Sequence, residues 1–286
     1  MKVNSLKHDA DDFPDILRHI PSPPKELFWV GIHPGKFLDK PRVAIVGSRK
    51  VSAYGRTVTE SLASELSRVG VVIISGLALG IDSVAHQATL DAGGLTIAVL
   101  PTGLDQIYPA SHLNLARQIV ESGGCLISEY PPGTEAFPSN FIARNRLVCG
   151  LADVLLITEA AKNSGTMHTA GFALEQGRTV MAVPGNILAP GSEGCNNLIK
   201  AGAVPVTNAG DVFFALGLDA SAPRQTKIFR GTGNEQKIFD LIRRGITDQE
   251  DLAKAARLDG PSLSAALTML EVNGYIRAES GSWTLV

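Results

Sequence analysis

Residues 43–56 read "VAIVGSRKVSAYGR": four apolar residues run straight into glycine, a hydroxyl and two cations. A short continuous apolar run of this kind reads as a strand buried on both faces. The turn that follows, Gly47-Ser48-Arg49-Lys50, sets open backbone and two positive charges at the end of that strand, just before a helix. Such a turn suits an anion, because a helix N-terminus presents unsatisfied N–H groups and a positive dipole end. It is not the G-x-G-x-x-G dinucleotide fingerprint, since Arg49 occupies the place of the second glycine. It is not a Walker A loop either. Redox use of a nicotinamide cofactor is therefore not expected.

Working outward, similar apolar runs recur at 71–75 (VVIIS), 95–100 (LTIAVL), 125–129 (CLISE), 154–158 (VLLIT), 179–183 (TVMAV) and 203–207 (AVPVT). Segments of helical period separate them, such as "TVTESLASELSRVG" (57–70), which Gly70 closes. This strand–helix repeat predicts a doubly wound, Rossmann-like α/β domain over 41–218, with a parallel sheet covered on both faces. A closed barrel would need an eighth unit. Residues 1–40, rich in proline and charge and anchored by Phe28 and Trp29, read as an irregular lead-in packed on the core. Residues 219–234 have linker composition. Beyond them, 235–244, 248–257 and 262–274 read as short helices, and a hairpin turning at Ser280–Ser282 completes a small winged-helix-like domain over 235–286.

The formal net charge of -2 excludes a generally basic coat, so any polyanion site must be local. No apolar run approaches the roughly 20 residues of a membrane span, and the N-terminus lacks an apolar signal-peptide core. Cys125, Cys149 and Cys195 are far apart and lack metal-ligand spacing, as expected of reduced thiols in a cytoplasmic protein. Neither a metal nor a cofactor is expected.

In an open parallel sheet, ligands bind beyond the carboxyl ends of the strands. Besides Ser48, Arg49 and Lys50, two further loops there carry anion-binding character. "SGLALGID" supplies Gly76 and Gly80 around a tight turn, and Asp82 stands four residues before His86 on one helix face. That pair reads either as an acid–base couple or as a helix cap and a hydrogen-bonded core histidine. "EAAKNSGTMHTA" sets Lys162, Ser164, Gly165 and Thr166 before a helix start. In "FIARNRLVCGL", Arg144 and Arg146 diverge by about 200° on a regular helix, so either the segment starts irregularly or each arginine has its own partner, with Asp153 or Glu129 available. Phe141 is a core anchor or a platform for an unpaired base. Lys200 is a further candidate cation.

The chain resembles the DNA-processing protein A (DprA/Smf) family over about residues 13–217. The resemblance rests on "GSRKVSAYG", "SGLALGIDSVAHQATL", "YPASHLNL", "LISEYPPG", "FIARNRLVCGL", "EAAKNSGTMHTAGFALEQGR" and "VPGN…GCNNLIKAGA". It implies a non-enzymatic protein that binds single-stranded DNA, forms a homodimer and loads the RecA recombinase during natural transformation. Ser48 and Arg49 fall on the family's GSR turn. Phe141, Arg144 and Arg146 fall on its F-x-x-R-N-R segment, and Ser164, Gly165 and Thr166 on its S-G-T turn. Leu79 stands where many members have arginine and Ile142 where proline is usual. The N-terminal helical module of longer members is not expected here, so its functions are not carried over. The family's C-terminal module reads as a winged helix. From Gly231 onward, six Lys or Arg (237, 243, 244, 254, 257, 277) face eight Asp or Glu (235, 240, 248, 250, 251, 259, 271, 279). Its would-be recognition helix "SLSAALTMLEVNG" has no cation, so duplex reading is not expected of it. An alternative function is a nucleotide or nucleoside-monophosphate hydrolase of the lysine-decarboxylase-like type, with Glu159 or Glu129 as its carboxylate.

Overall fold

In chain order the first unit runs β1 (Asn4–Lys7), α1 (Asp15–Arg18), β2 (Glu26–Gly31), β3 (Arg42–Val46), α2 (Ala53–Arg68), β4 (Val72–Ser75), α3 (Ile81–Asp91), β5 (Thr96–Val99) and α4 (Leu113–Glu121). It continues with β6 (Cys125–Ser128), α5 (Pro138–Leu151), β7 (Val154–Ile157), α6 (Thr166–Glu175), β8 (Thr179–Ala182), α7 (Glu193–Lys200), β9 (Val204–Pro205) and α8 (Ala209–Ala215). The computed structural model describes residues 2–218, 233–243, 245–273, 275–279 and 282–285.

The seven strands β3 to β9 lie within two residues of the predicted apolar runs and pair in parallel. The sheet order is β1-β2-β6-β5-β4-β3-β7-β8-β9. From β3 the chain therefore winds outward to β6, then crosses back to build β7, β8 and β9 on the other side. The reversal falls between β3 and β7, whose register sets Val43 opposite Val154 and Val46 opposite Ile157. Strand ends that diverge at such a reversal leave a crevice. Strand β3, buried at all five positions, feeds both halves of the core. Ala44 and Val46 point into a cluster with Leu147, Ala170 and Cys195 of α5, α6 and α7. Val43 and Ile45 point into one with Leu62, Ile81 and Val212 of α2, α3 and α8. Period-2 alternation with both faces apolar is what a doubly covered sheet requires. The three cysteines are buried free thiols; burial pushes those of Cys149 and Cys195 up to about 12.

The expected irregular lead-in is not what the chain builds. Strand β2 adds antiparallel to β6, with Phe28 opposite Ser128 and Trp29 opposite Ile127, and β1 adds antiparallel to β2. The run "ELFWVG" is rich in the residues that fit a pleated surface, and docking it on β6 covers an otherwise unpaired edge.

The chain divides into the units Met1–Arg224 and Gln225–Val286. The second contains α9 (Gly233–Arg243), α10 (Gln249–Ala256), α11 (Gly260–Val272) and the antiparallel pair β10 (Ile276–Glu279) and β11 (Ser282–Leu285), which form a winged helix. Ile238, Leu252, Leu263, Leu267 and Ile276 form its core. Asp248 and Asp259 cap α10 and α11. The predicted linker lies outside the described residues apart from 233–234, as do residues 280 and 281 of the predicted turn. Among the described residues, no helix is long and apolar enough to cross a membrane.

Candidate nucleic-acid interface

A cavity of about 840 Å³ opens at the reversal point, over the ends of β3, β4 and β7. Of the residues expected from the sequence, it brings together Ser48, Arg49, Lys50, Phe141, Arg144, Lys162, Ser164, Gly165 and Thr166. Its charged lining is four cations, Arg49, Lys50, Arg144 and Lys162, against two carboxylates, Asp82 and Glu193. The net sign is positive in a chain whose total is -2, so positive charge is concentrated at this edge.

The four cations are not equivalent. Arg49 and Lys50 are exposed on the turn after β3. Lys162 is exposed too and meets Glu193 at 3.5 Å. An exposed pair of that kind contributes about 0–1 kcal/mol, so a phosphate can compete for the ammonium. Arg144 is only 4% exposed. It donates to the carbonyls of Gly76 (2.6 Å) and Val99, and to Asn145 Oδ1 through Nε. Burial lowers its pKa to about 10, with Asp82 acting in the opposite sense. It lines the floor of the cavity and ties the ends of β4 and β5 to α5.

Phe141, half-buried, forms the aromatic wall. Tyr108 meets it edge-on at 5.2 Å, and the Arg49 guanidinium lies 5.2 Å from its ring centre. Opposite stands the N-terminus of α6, where Ser164 Oγ donates to Thr166 Oγ1 and accepts from Thr166 N–H. These bonds order the turn that carries the helix's positive end into the cavity.

Four expected residues lie elsewhere. Arg146 points away: it is held in a bidentate pair with Glu129 (2.6 and 2.7 Å) and donates to the carbonyl of Ser22. The α-helix over Pro138–Leu151 is regular, so the 200° divergence sends Arg144 under the sheet edge and Arg146 to the lead-in. Gly76 and Gly80 serve packing. A Cβ on Gly76 would overlap the Arg144 guanidinium, and Gly80 (φ 82°) lies against the carbonyl of Ser48. Lys200 is exposed at the end of α7, outside the cavity.

Two further expectations change in detail. The hydroxyl of Ser48 closes its own turn, accepting from Lys50 N–H and donating to Lys50 O. The N-terminus of α2 already has an anion: buried Glu159 accepts from both N–H and Oγ of Ser52. Glu159 and Glu129, the carboxylates needed by the hydrolase alternative, are thus both engaged. Asp82 accepts from the N–H groups of Gly76 and Ala78, while His86 Nδ1 meets Thr96 Oγ1 at 2.7 Å. They are a loop clasp and a core histidine. Sequence reasoning did not single out Asn145 or Asn163 in the lining, nor Tyr108 behind Phe141. Asn145 lies in "FIARNRLVCGL" and Asn163 in "EAAKNSGTMHTA", but no periodicity marks them.

The family model for DNA recombination-mediator protein A matches residues 4–217, and that for the DprA winged helix domain matches 220–282. The chain belongs to the DNA recombination-mediator protein A family. It is 37% identical to Protein Smf of Escherichia coli over 96% of this chain and 75% of that protein. It is 40% identical to Protein Smf of Synechocystis over 86% of this chain, and spans 61% of that protein. The crystal structure of DNA processing protein A from Streptococcus pneumoniae matches with TM-score 0.69 at 41% identity, covering 74% of each chain. A Helicobacter pylori structure, described as showing the single-stranded DNA binding mode of that protein, matches with TM-score 0.67 at 34% identity over 75% of this chain and 95% of that one.

Proposed function

We propose that this chain binds single-stranded DNA, without strong sequence preference, in the cavity at the reversal point. The observation that carries the reading is the convergence of Arg49, Lys50 and Lys162, the N-terminus of α6 and the ring of Phe141 on one opening. The cations and the helix end hold phosphates, and Phe141 stacks on an unpaired base. Stacking on an aromatic face is sequence-tolerant because every base has a π-face. A base that stacks on Phe141 takes the place of the Arg49 guanidinium, which then reaches a phosphate. The Helicobacter pylori relative, described as binding single-stranded DNA, supports the reading. The wider role proposed from family membership is DNA processing in natural transformation, as a cytoplasmic homodimer that passes its DNA to RecA.

An anisotropy titration with labelled oligo-thymidine over a range of salt concentrations tests it. The log affinity is expected to fall by about 0.7 for each contacted phosphate per tenfold rise in salt. Arg49→Ala is expected to weaken binding to thymidine, cytidine and adenine oligomers about equally and to reduce that slope by about 0.7. A slope near zero removes the basis for the proposal.

A further inference from the structure

A second cavity, of about 820 Å³, adjoins the first on the far side of Lys50. Lys50, Pro190 and Gly191 line both. Its remaining walls include Tyr54, Pro184 and Ala189, with Glu159 at its base. We propose that this cavity is a second base subsite: it takes the nucleobase next to the one on Phe141, stacked against Tyr54, with Lys50 holding the phosphate between them. The inference rests on the single-stranded DNA reading above.

Three observations select a neutral, flat ligand. First, the buried Glu159 carboxylate disfavours an anion inside the cavity, so a phosphate is directed to its rim, where Lys50 stands. Second, Tyr54 is 48% exposed, and its hydroxyl donates to the carbonyl of Pro184 at 2.7 Å, which fixes the ring as a wall. Burial, then Cys195 and Glu159, raise the pKa of that phenol, so the wall stays uncharged. Third, the loop facing Tyr54 is built rather than loose. Asn196 accepts from Gly185 N–H at 3.2 Å and donates to Gly185 O at 3.1 Å, clamping the loop to α7. A rigid aromatic face opposite a clamped proline loop, beside a cation shared with the first cavity, is the pattern of a base slot along a strand's path.

The test uses the full chain and three 5′-phosphorylated dinucleotides with equal numbers of phosphates: dithymidylate, and the two forms in which one base or the other is replaced by an abasic sugar. Each competes against fluorescein-labelled oligo-thymidine. In the wild type, dithymidylate is expected to bind about tenfold more tightly than either abasic form, the usual size of one base–aromatic stack. Tyr54→Phe keeps the ring, so that ratio is expected to persist. Tyr54→Ala removes the wall and Ala189→Trp fills the cavity from an exposed loop, so each is expected to bring the ratio to about one. Circular dichroism establishes that the variants are folded. A wild-type ratio near one, or a tenfold ratio retained in either folded variant, overturns the second subsite while the first stands. Failure of oligo-thymidine itself to bind overturns both.

Discussion

Arg144 and Arg146 show how far a residue's role departs from its type. Both lie in one motif-like segment, yet one braces the cavity floor beside Asp82 and the other is held by Glu129. Arg144→Ala is expected to lower the unfolding free energy by about 1–3 kcal/mol in urea titration, because it leaves the buried carbonyls of Gly76 and Val99 without that donor. His86 makes a second residue-scale prediction. Burial above all, then the charges of His112 and Arg144, push its pKa down to about 3. In the unfolded chain a histidine takes its proton near 6.5. Between those values only the unfolded state binds the proton, so stability falls as pH drops below about 6.5, by about 1.4 kcal/mol per unit. His86→Gln is expected to flatten the decline between about pH 6 and 5 by roughly that amount in chemical unfolding at each pH.

At the scale of the element, the start of α2 is the instructive case. Ser52 caps it through Gly55 N–H and also donates to Glu159. Ser52→Ala is expected to cost about 1 kcal/mol, read as a lower urea midpoint. The helix itself was legible from its period and from Gly70, but the occupant of its N-terminus was not, since Glu159 arrives from the loop after β7, 107 residues away. The same contrast separates the strands. Strands β3 to β8 announced themselves as continuous apolar runs bounded by turns, because burial on both faces removes polar alternation. Strands β1 and β2 did not, because a short antiparallel edge is decided by the partner it finds, here β6. In the candidate site, the three glycine-bearing turns were legible from composition. Which glycine makes room for a ligand and which for a guanidinium depended on the neighbour, as Gly76 against Arg144 demonstrates.

At the scale of the whole molecule, the balance of charge divides between the two units. Positive lining gathers at the cavity of the first, while from Gly231 onward the sequence carries more acids than bases, and α11 carries no cation. Residues 1–218 alone are therefore expected to hold oligo-thymidine within about twofold of the full chain, with the same salt slope, and residues 225–286 alone to show no salt-dependent duplex affinity in the same assay. The sequence by itself determined the architecture: seven apolar runs with helical segments between them admit a doubly wound sheet and leave the order reversal to position a cleft. It also determined that the cleft would be ringed by turns able to meet phosphate, since glycine, serine and lysine follow the apolar runs directly. Only the tertiary structure decided which of those groups face the cleft. A side chain's charge is local information, but whether it meets solvent, a carboxylate or a carbonyl depends on segments that folding brings from 17 to more than 100 residues away, as Glu129 does for Arg146 and Glu159 for Ser52.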